Sequence, residues 1–277
     1  MEEEALRGQV RALNAQVMSL RTQVQARTQI ALAQGLLIGR YELPDAQAAF
    51  DALRQVSQRY NIKLHQIAAA LTTTPPPSPG ARQWLPGRTR TPAPPLDALH
   101  AGNLDPANQS QVLRAALERA MTLTHADFGN VQLAEAGLLR LEQHRGHPQQ
   151  LTDYFAFVRG GTVSWRAAAT GRQVTVRDVA TAPVIDDETR QVLLDSGSRA
   201  VHCIPLTAAD GTVRGVISAH HTSPQPGLDQ EQLARLDHLQ RVVGAWLQWH
   251  TATIVCDALQ HLHHTATASA GPPRPRS

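Results

Sequence analysis

The chain has 277 residues, enough for about two domains, and its 42% hydrophobic content is typical of globular proteins. Its net charge of +3 does not select a class of partner, and two cysteines, Cys203 and Cys256, do not indicate a disulfide framework. There is no stretch of about 18 apolar residues that could span a membrane and no apolar signal segment after Met1, so we expect a cytoplasmic protein.

The first predicted element is a helix with a heptad repeat. Leucine and valine alternate along it at steps of four and three; the residues are Leu6, Val10, Leu13, Val17, Leu20 and Val24. Valine at a and leucine at d favour a parallel two-stranded coiled coil. The alternative is one long amphipathic helix packed on its own chain, but the apolar stripe is as narrow as a coiled-coil seam. We therefore expect a homodimer.

A small helical module follows the heptads and ends near residue 72. Arg27 falls on the next seam position and Gly35 lies inside the helical pattern, so the seam stops near residue 27 while the helix continues to about Arg40. Pro44 favours the start of a second helix, which runs to Tyr60. Asn61 can cap a third helix. Residues 5–71 carry eight basic and three acidic side chains, which makes this the candidate anion-binding region.

Residues 24–71 resemble the ANTAR domain, an RNA-binding module of bacterial transcription antiterminators. The resemblance rests on Arg27, Ile30, Ala33, Gln34, Gly35, Leu37 and Ile38 in the first helix and, further on, on Ala49-Phe50, Leu53-Arg54, Ser57-Gln58, Asn61, Lys63-Leu64 and Ile67-Ala68. It implies binding of a two-hairpin leader RNA. The RNA-binding residues would be Arg27, Gln34, Gly35, Arg54, Ser57, Gln58, Asn61 and Lys63.

One departure from the family pattern keeps a second hypothesis open. Gln34 stands where the family carries a lysine, which removes a phosphate contact. The alternative function is therefore a protein-interaction or signal-sensing scaffold that has lost RNA binding. DNA binding is less favoured, because the third predicted helix, from Asn61 to Leu71, carries only Lys63 as a basic recognition residue.

Proline defines the next segment. Eight prolines lie between residues 75 and 95, and since proline fixes φ and lacks a backbone N–H, residues 73–107 are predicted to be a semi-extended linker. The end of the chain reads GPPRPRS, and residues 251–277 are predicted to be a mostly disordered tail.

Residues 108–250 alternate helices and strands. An amphipathic helix at 108–123 precedes a hairpin that turns at Glu135–Gly137; a strand at 172–179 and a short helix at 186–195 lead to a second hairpin around Asp210-Gly211. A helix at 228–248 closes the region. The sequence thus predicts a multidomain fold: an all-α coiled coil plus three-helix bundle, then an α+β antiparallel-sheet domain.

This second region resembles a GAF domain. The matching segments are 129–133, 170–174, 176–179 and 204–206 ahead of Asp210-Gly211. The resemblance implies a domain that senses a small ligand or dimerises. Ser164 stands where related domains often carry a cysteine, so we expect no covalently held cofactor, and the ligand is unidentified.

Histidines and cysteines of the second region do not predict a metal or catalytic site. His202, Cys203, His220 and His221 lie on paired strands, but we interpret Cys203 as a small core residue and the imidazoles as facing solvent. His261, His263 and His264 in the tail suggest only adventitious metal binding. No nucleophile triad, P-loop or carboxylate pair is present. The absence of such motifs predicts that the chain is not an enzyme and holds no metal, and the resemblance to the ANTAR domain implies an RNA-binding antitermination regulator.

Overall fold

The computed structural model describes residues 27–78 and 80–269. The predicted dimer seam, Leu6 to Val24, lies outside the described residues, as do Pro79 and residues 270–277. The chain divides into two units. The helical unit comprises the described parts of 23–93, 106–109 and 249–277; the sheet unit comprises 94–105 and 110–248. No helix among the described residues has the length and apolarity needed to cross a membrane.

The elements follow the predicted order. The helices are α1 (residues 27–41), α2 (Ala46–Tyr60), α3 (Leu64–Thr73), α4 (Gln109–Thr124), α5 (Gln149–Phe155), α6 (Val163–Thr170), α7 (Asp187–Asp195), α8 (Gln230–His250) and α9 (Cys256–Ser269). The strands are β1 (Phe128–Glu135), β2 (Leu138–Arg145), β3 (Phe157–Val158), β4 (Val174–Val176), β5 (Ala200–Thr207) and β6 (Val213–His221). A 3-10 turn, Asp97–Leu99, precedes α4, and a π-helical segment, Thr251–Val255, follows α8.

The residues at the two ends of α2 determine where this helix begins and ends. Asp45 is its N-cap, with the carboxylate accepting from the backbone N–H of Ala48 at 2.8 Å. The helix ends at Asn61, which adopts a left-handed conformation with φ of 51°. Asparagine tolerates that conformation better than most residues, since its short polar side chain can bond locally. Asn61 therefore ends α2 and is not the residue that caps α3, whose N-cap is Lys63.

A fourth helix completes the core of the helical unit. Side chains of α1, α2 and α3 pack together as expected, and α9 adds Ala258, Leu259, Leu262 and Ala266, each at most 4% exposed. The Tyr41 hydroxyl of α1 also hydrogen-bonds His263 Nδ1 of α9 at 2.8 Å. The prediction of a mostly disordered tail is therefore wrong for residues 251–269, because three short helices leave an apolar face that α9 covers.

Part of the proline-rich segment is also packed rather than extended. Trp84 is buried in the same core, its indole N–H donates to the carbonyl of Pro75 at 2.7 Å, and the Arg40 guanidinium lies 4.8 Å from its ring centroid. Arg88 and Arg90 both pair with Asp257 of α9. Residues 84–90 are thus held by the helical unit, contrary to the prediction of a semi-extended linker at these positions.

The sheet unit contains a six-stranded antiparallel sheet with the order β3-β2-β1-β6-β5-β4. Both predicted hairpins, β1–β2 and β5–β6, are present. One face of the sheet packs on α4 and α8; at Gly244 of α8 the helix lies so close to the backbone of Thr207 that no Cβ would fit. Helices α5, α6 and α7 cover the other face and share a core with it. Both faces of the central strands are therefore buried.

Candidate RNA-binding surface and buried pocket

Most of the predicted RNA-binding residues are exposed on the helical unit. Arg54 and Gln58 are one turn apart on α2, and Asn61 follows three residues later at the end of the helix, so the three share a face. Lys63 is exposed at the start of α3, and Arg27 is exposed at the start of α1. Arg54 pairs with Asp51 at 2.9 Å, but both side chains are largely in solvent, so this pair is weak.

Two of the predicted residues are engaged within the protein. Gln34 donates its amide N–H to the carbonyl oxygen of Ala46 at 2.7 Å, which ties α1 to the first turn of α2. Ser57 donates its hydroxyl to the carbonyl oxygen of Ile62 at 2.6 Å and so closes the turn between α2 and α3. Gly35 is exposed, with open space where a Cβ would stand. The structure thus gives Gln34 and Ser57 a structural role.

Removing the Ser57 hydroxyl is expected to affect stability rather than RNA recognition. Ser57→Ala leaves the Ile62 carbonyl without this donor, which should lower the free energy of unfolding by about 1 kcal/mol. Denaturant unfolding of the full chain measures the change, with Gln55→Ala on the exposed face of α2 as the control. A normal unfolding midpoint together with a large loss of RNA affinity would show instead that Ser57 contacts the RNA.

A row of polar side chains lies on the buried face of the sheet that α5–α7 cover. Asn130 and Gln132 alternate on β1, and the paired strand β6 contributes Ser218 and His220; all four are at most 1% exposed. His147, just after β2, is partly buried beside them, with its ring centroid 5.5 Å from that of His220. These residues bring amide, hydroxyl and imidazole groups into an otherwise apolar core.

Four polar atoms of this row have no hydrogen-bond partner among the described residues. They are Asn130 Oδ1, Gln132 Oε1, His147 Nδ1 and His220 Nε2. The opposite ends of the same side chains are bonded: Gln132 donates to the carbonyl of Phe155 at 2.9 Å, and His220 Nδ1 lies 2.9 Å from the Ser198 hydroxyl. Buried polar groups are normally paired, so four unpaired atoms in one place call for a specific explanation.

A small cavity adjoins this row. It encloses about 10 Å³, room for a water-sized group. The sheet contributes Val201, Cys203, Ser218 and His220 to its wall. Residues of α5, α6 with its N-cap, and α7 close it; these are Phe155, Thr162, Val163, Ser164, Thr189 and Leu193. The lining contains no lysine, arginine, aspartate or glutamate.

Burial keeps the titratable groups at this site uncharged. It lowers the pKa of His147 to about 3, helped by His144, and it lowers the pKa of His220 far below its ordinary value, helped by His147 and His221. Burial also raises the pKa of Cys203 to about 12. The pocket is therefore polar but electrically neutral at physiological pH.

The buried histidines make the stability of the chain pH-dependent. The pKa of His147 is about 3 and that of His202 about 4 when folded, and both are near 6.5 when unfolded, so protons favour the unfolded state. Stability is fully present above pH 6.5 and falls as the pH drops toward 4, by up to about 1.4 kcal/mol per pH unit for each histidine.

Replacing one such histidine should flatten that dependence. His147→Phe keeps an aromatic ring among Phe128 and Phe155 and removes one titrating group. Urea unfolding of the full chain between pH 7 and pH 5 should show a shallower dependence of stability on pH for this variant than for the natural chain. Equal slopes for His147→Phe and the natural chain would contradict the burial argument.

The structure corrects the interpretation of the strand histidines. His202, His220 and His221 are at most 5% exposed and do not face solvent, because helices cover both faces of the sheet. His202 is bonded at both ring nitrogens, to Thr175 at 2.8 Å and to Gln173 at 2.8 Å. Cys203 is a buried core residue, as predicted. No cluster of three or more His, Cys, Asp or Glu suited to a metal ion occurs within the described ranges.

Sequence reasoning did not predict the polar row on β1. Val131 and Leu133 alternate with Asn130 and Gln132, a pattern typical of a half-exposed strand. The available signal was a pair of amide residues at alternate positions of a strand that follows an amphipathic helix, since a sheet covered on both faces buries the polar positions as well.

Two family models match the sequence. The model of the ANTAR domain matches residues 18–71, and the model of the GAF domain matches residues 106–248, just over half of the chain. No curated protein sequence matches it.

Among solved structures, similar folds include three of low sequence identity. The GAF domain/HD domain protein from Geobacter sulfurreducens is 12% identical with a TM-score of 0.44 and covers 51% of this chain and 93% of its own. The type II free methionine-R-sulfoxide reductase from Thermoplasma acidophilum is 18% identical with a TM-score of 0.42, and the match covers 50% of this chain and 92% of the reductase chain. The GAF domain of a two-component sensor histidine kinase from Bacillus halodurans is 17% identical with a TM-score of 0.41, and the match covers 49% of this chain and 90% of that domain.

Proposed function

Because the chain belongs to the GAF-domain proteins and carries an ANTAR domain ahead of its GAF domain, we propose that it is a cytoplasmic, RNA-binding regulator of transcription antitermination. The ANTAR domain binds a leader RNA with two hairpins and stabilises it against formation of the terminator. The GAF domain modulates this activity as a sensor or a dimerisation domain. Both are regulatory domains, and we propose no catalytic activity for the chain.

The observation that carries the proposal is a set of exposed donors on the matched module. Arg54, Gln58 and Asn61 share a face of α2, Lys63 follows at the start of α3, and all four residues are exposed. RNA loops are recognised through such long polar side chains, which reach unstacked bases and the backbone. Dimerisation through the heptads would bring two modules to two hairpins and raise their effective concentration.

Binding to a pool of two-hairpin RNAs with randomised loops tests this function. We expect the full chain to enrich particular loop sequences and to bind the enriched RNA more tightly than either hairpin alone or duplex DNA. The preference should persist at about 150 mM salt, where contacts made only to phosphates weaken strongly. Equal weak binding to every nucleic acid would contradict the proposal.

The scaffold without RNA binding stays a second candidate, and one contact favours it. Gln34 stands in place of the family lysine, and its amide N–H donates a hydrogen bond to the carbonyl oxygen of Ala46. A chain that enriches no RNA but forms a stable homodimer through residues 6–24 would support the scaffold. Restoring the lysine distinguishes the two, since Gln34→Lys should strengthen RNA binding only if the remaining surface already binds RNA.

A further inference from the structure

Two segments of the helical unit are free of acidic side chains. Residues 52–93 contain six lysine and arginine residues and no aspartate or glutamate, and residues 258–269 contain no aspartate or glutamate either. The whole chain is nearly balanced, with 26 basic and 23 acidic residues, so these two segments depart from its composition. A basic surface of this kind attracts polyanions such as nucleic acids.

Helix α9 joins the two segments beside the last turn of α2. The ring centroid of His261 on α9 lies 5.9 Å from that of Tyr60 on α2. Burial, and then the charges of Arg59 and His264, lower the pKa of His261, so both groups are close to its ring. His264 Nε2 in turn lies 2.9 Å from the carbonyl oxygen of Arg82. Arg59, His261, His264 and Arg82 therefore form one continuous group, which we call the basic patch.

The two arginines of the basic patch are available to a ligand. Both are exposed, and the ion pairs between described residues of the helical unit use Arg54, Arg88 and Arg90 instead. A guanidinium binds phosphate oxygens through two parallel hydrogen bonds, which suits arginine to a nucleic-acid backbone. The patch also adjoins the exposed face of α2, because Arg59 follows directly on Gln58.

We propose that Arg59, Arg82 and His261 bind the phosphate backbone of an RNA whose loop lies on Gln58 and Asn61. This inference rests on the proposed RNA-binding function. Residues 82 and 261 lie outside residues 18–71, which the ANTAR model matches, so they add to the RNA surface a part that the matched module does not contain. Phosphate contacts position a nucleic acid and base contacts specify it, so the patch holds the RNA while the α2 face distinguishes its loops.

Protonation of His261 should accompany RNA binding. The charged groups that act on its ring, Arg59 and His264, both disfavour the imidazolium in the free chain. Helix α3, which shares the core with α9, contributes His65, and Asp257, one turn before His261, is engaged by arginines. A phosphate beside the ring favours the imidazolium and raises its pKa in the complex. Affinity should therefore rise as the pH falls from 8 to 6, by at most about tenfold per pH unit.

Variants of the full chain test the basic patch with the pool of two-hairpin RNAs and with an RNA selected from it. Arg59→Ala and Arg82→Ala should each weaken binding about tenfold, equally for selected and scrambled loops, and lower the salt dependence by about one released ion. Gln58→Ala should instead reduce the preference for the selected loops. Arg241→Ala removes the same charge from an exposed site on α8 and should change the affinity by less than about twofold.

The pH dependence gives a second readout. His261→Gln should abolish the rise in affinity between pH 8 and pH 6, whereas His100→Asn, at an exposed histidine of the sheet unit, should retain it. Unchanged affinity and salt dependence in both arginine variants, or a natural chain whose affinity does not vary with pH, would overturn the inference and leave RNA binding itself in place. A natural chain that binds no RNA would overturn the inference and the proposed function together.

Discussion

Removing the C-terminal helix is expected to unfold the helical unit. A chain truncated after His250 loses the four α9 side chains that fill the core shared by α1, α2 and α3, among them Leu259 and Leu262. Deleting one buried leucine side chain costs about 2–5 kcal/mol, and a whole domain is stabilised by only about 5–15 kcal/mol. The truncated chain also loses the bond from Tyr41 to His263 and the pairs that Asp257 makes with Arg88 and Arg90.

Hydrogen exchange of the α2 amides measures this effect directly. We expect their protection to disappear in the truncated chain while the amides of β1 and β6 stay protected. Single substitutions give a graded version: Leu262→Ala should lower the stability of the helical unit by about 2–5 kcal/mol. Leu32→Ala removes the same atoms from a side chain that is 57% exposed, so it should change the stability of the helical unit little. Unchanged protection after truncation would show that α9 is dispensable.

Neutralising the exposed cations of the helical unit is expected to weaken RNA binding. Arg27→Ala and Lys63→Ala should each reduce the affinity for a two-hairpin RNA about tenfold and lower the salt dependence by about one released ion, because each removes one phosphate contact. The folded core should be unaffected, since both side chains are exposed. The double variant should lose more RNA affinity than either single variant.

A charge-matched control separates specific contacts from net charge. Arg241→Ala removes one exposed positive charge from α8 in the sheet unit and should leave RNA affinity within about twofold of the natural chain. Fluorescence anisotropy with labelled RNA, repeated at several salt concentrations, gives affinities and salt slopes for all variants. Equal losses for Arg241→Ala and Lys63→Ala would mean that binding follows overall charge, and the assigned surface would then be wrong.

The sequence predicted the elements with strong local signals. The hairpin turns at Ala136-Gly137 and Asp210-Gly211 were predicted, as was the short helix α7, which Asp186 caps in the structure. The ANTAR and GAF assignments rest on resemblance to the motifs of those families, and the family models agree with both.

Features that depend on distant partners were not predicted. Leu259 and Leu262 form a short apolar face among histidines and threonines, and nothing local indicates that it packs on helices some 200 residues earlier. Trp84 stands among prolines and glycines, whose local preference for an open chain is overridden by its burial. Gln34 and Ser57 are polar residues on a matched motif, and only the structure shows that their donors satisfy backbone carbonyls.

The buried polar row of the sheet unit lay further from prediction than the exposed polar residues of the helical unit. Exposed polar residues can be read from a helical pattern, but the role of Asn130 depends on helices covering both faces of its strand. The unpaired oxygens of Asn130 and Gln132 can be recognised only from the structure, in which the strand register pairs Asn130 with Ser218 and Gln132 with Val216 on a covered face of the sheet. Their alternation with apolar residues would otherwise indicate a strand with one face exposed to solvent.

Transcription through a terminator tests the central claim most directly. The template carries an RNA selected for binding to this chain, with both hairpins placed ahead of an intrinsic terminator, and a second template lacks one hairpin. We predict that the full chain raises read-through on the first template only, and that the variant carrying both Arg27→Ala and Lys63→Ala does not. Read-through that is unchanged by the natural chain, or raised equally on both templates, would contradict an antiterminator that acts on two hairpins.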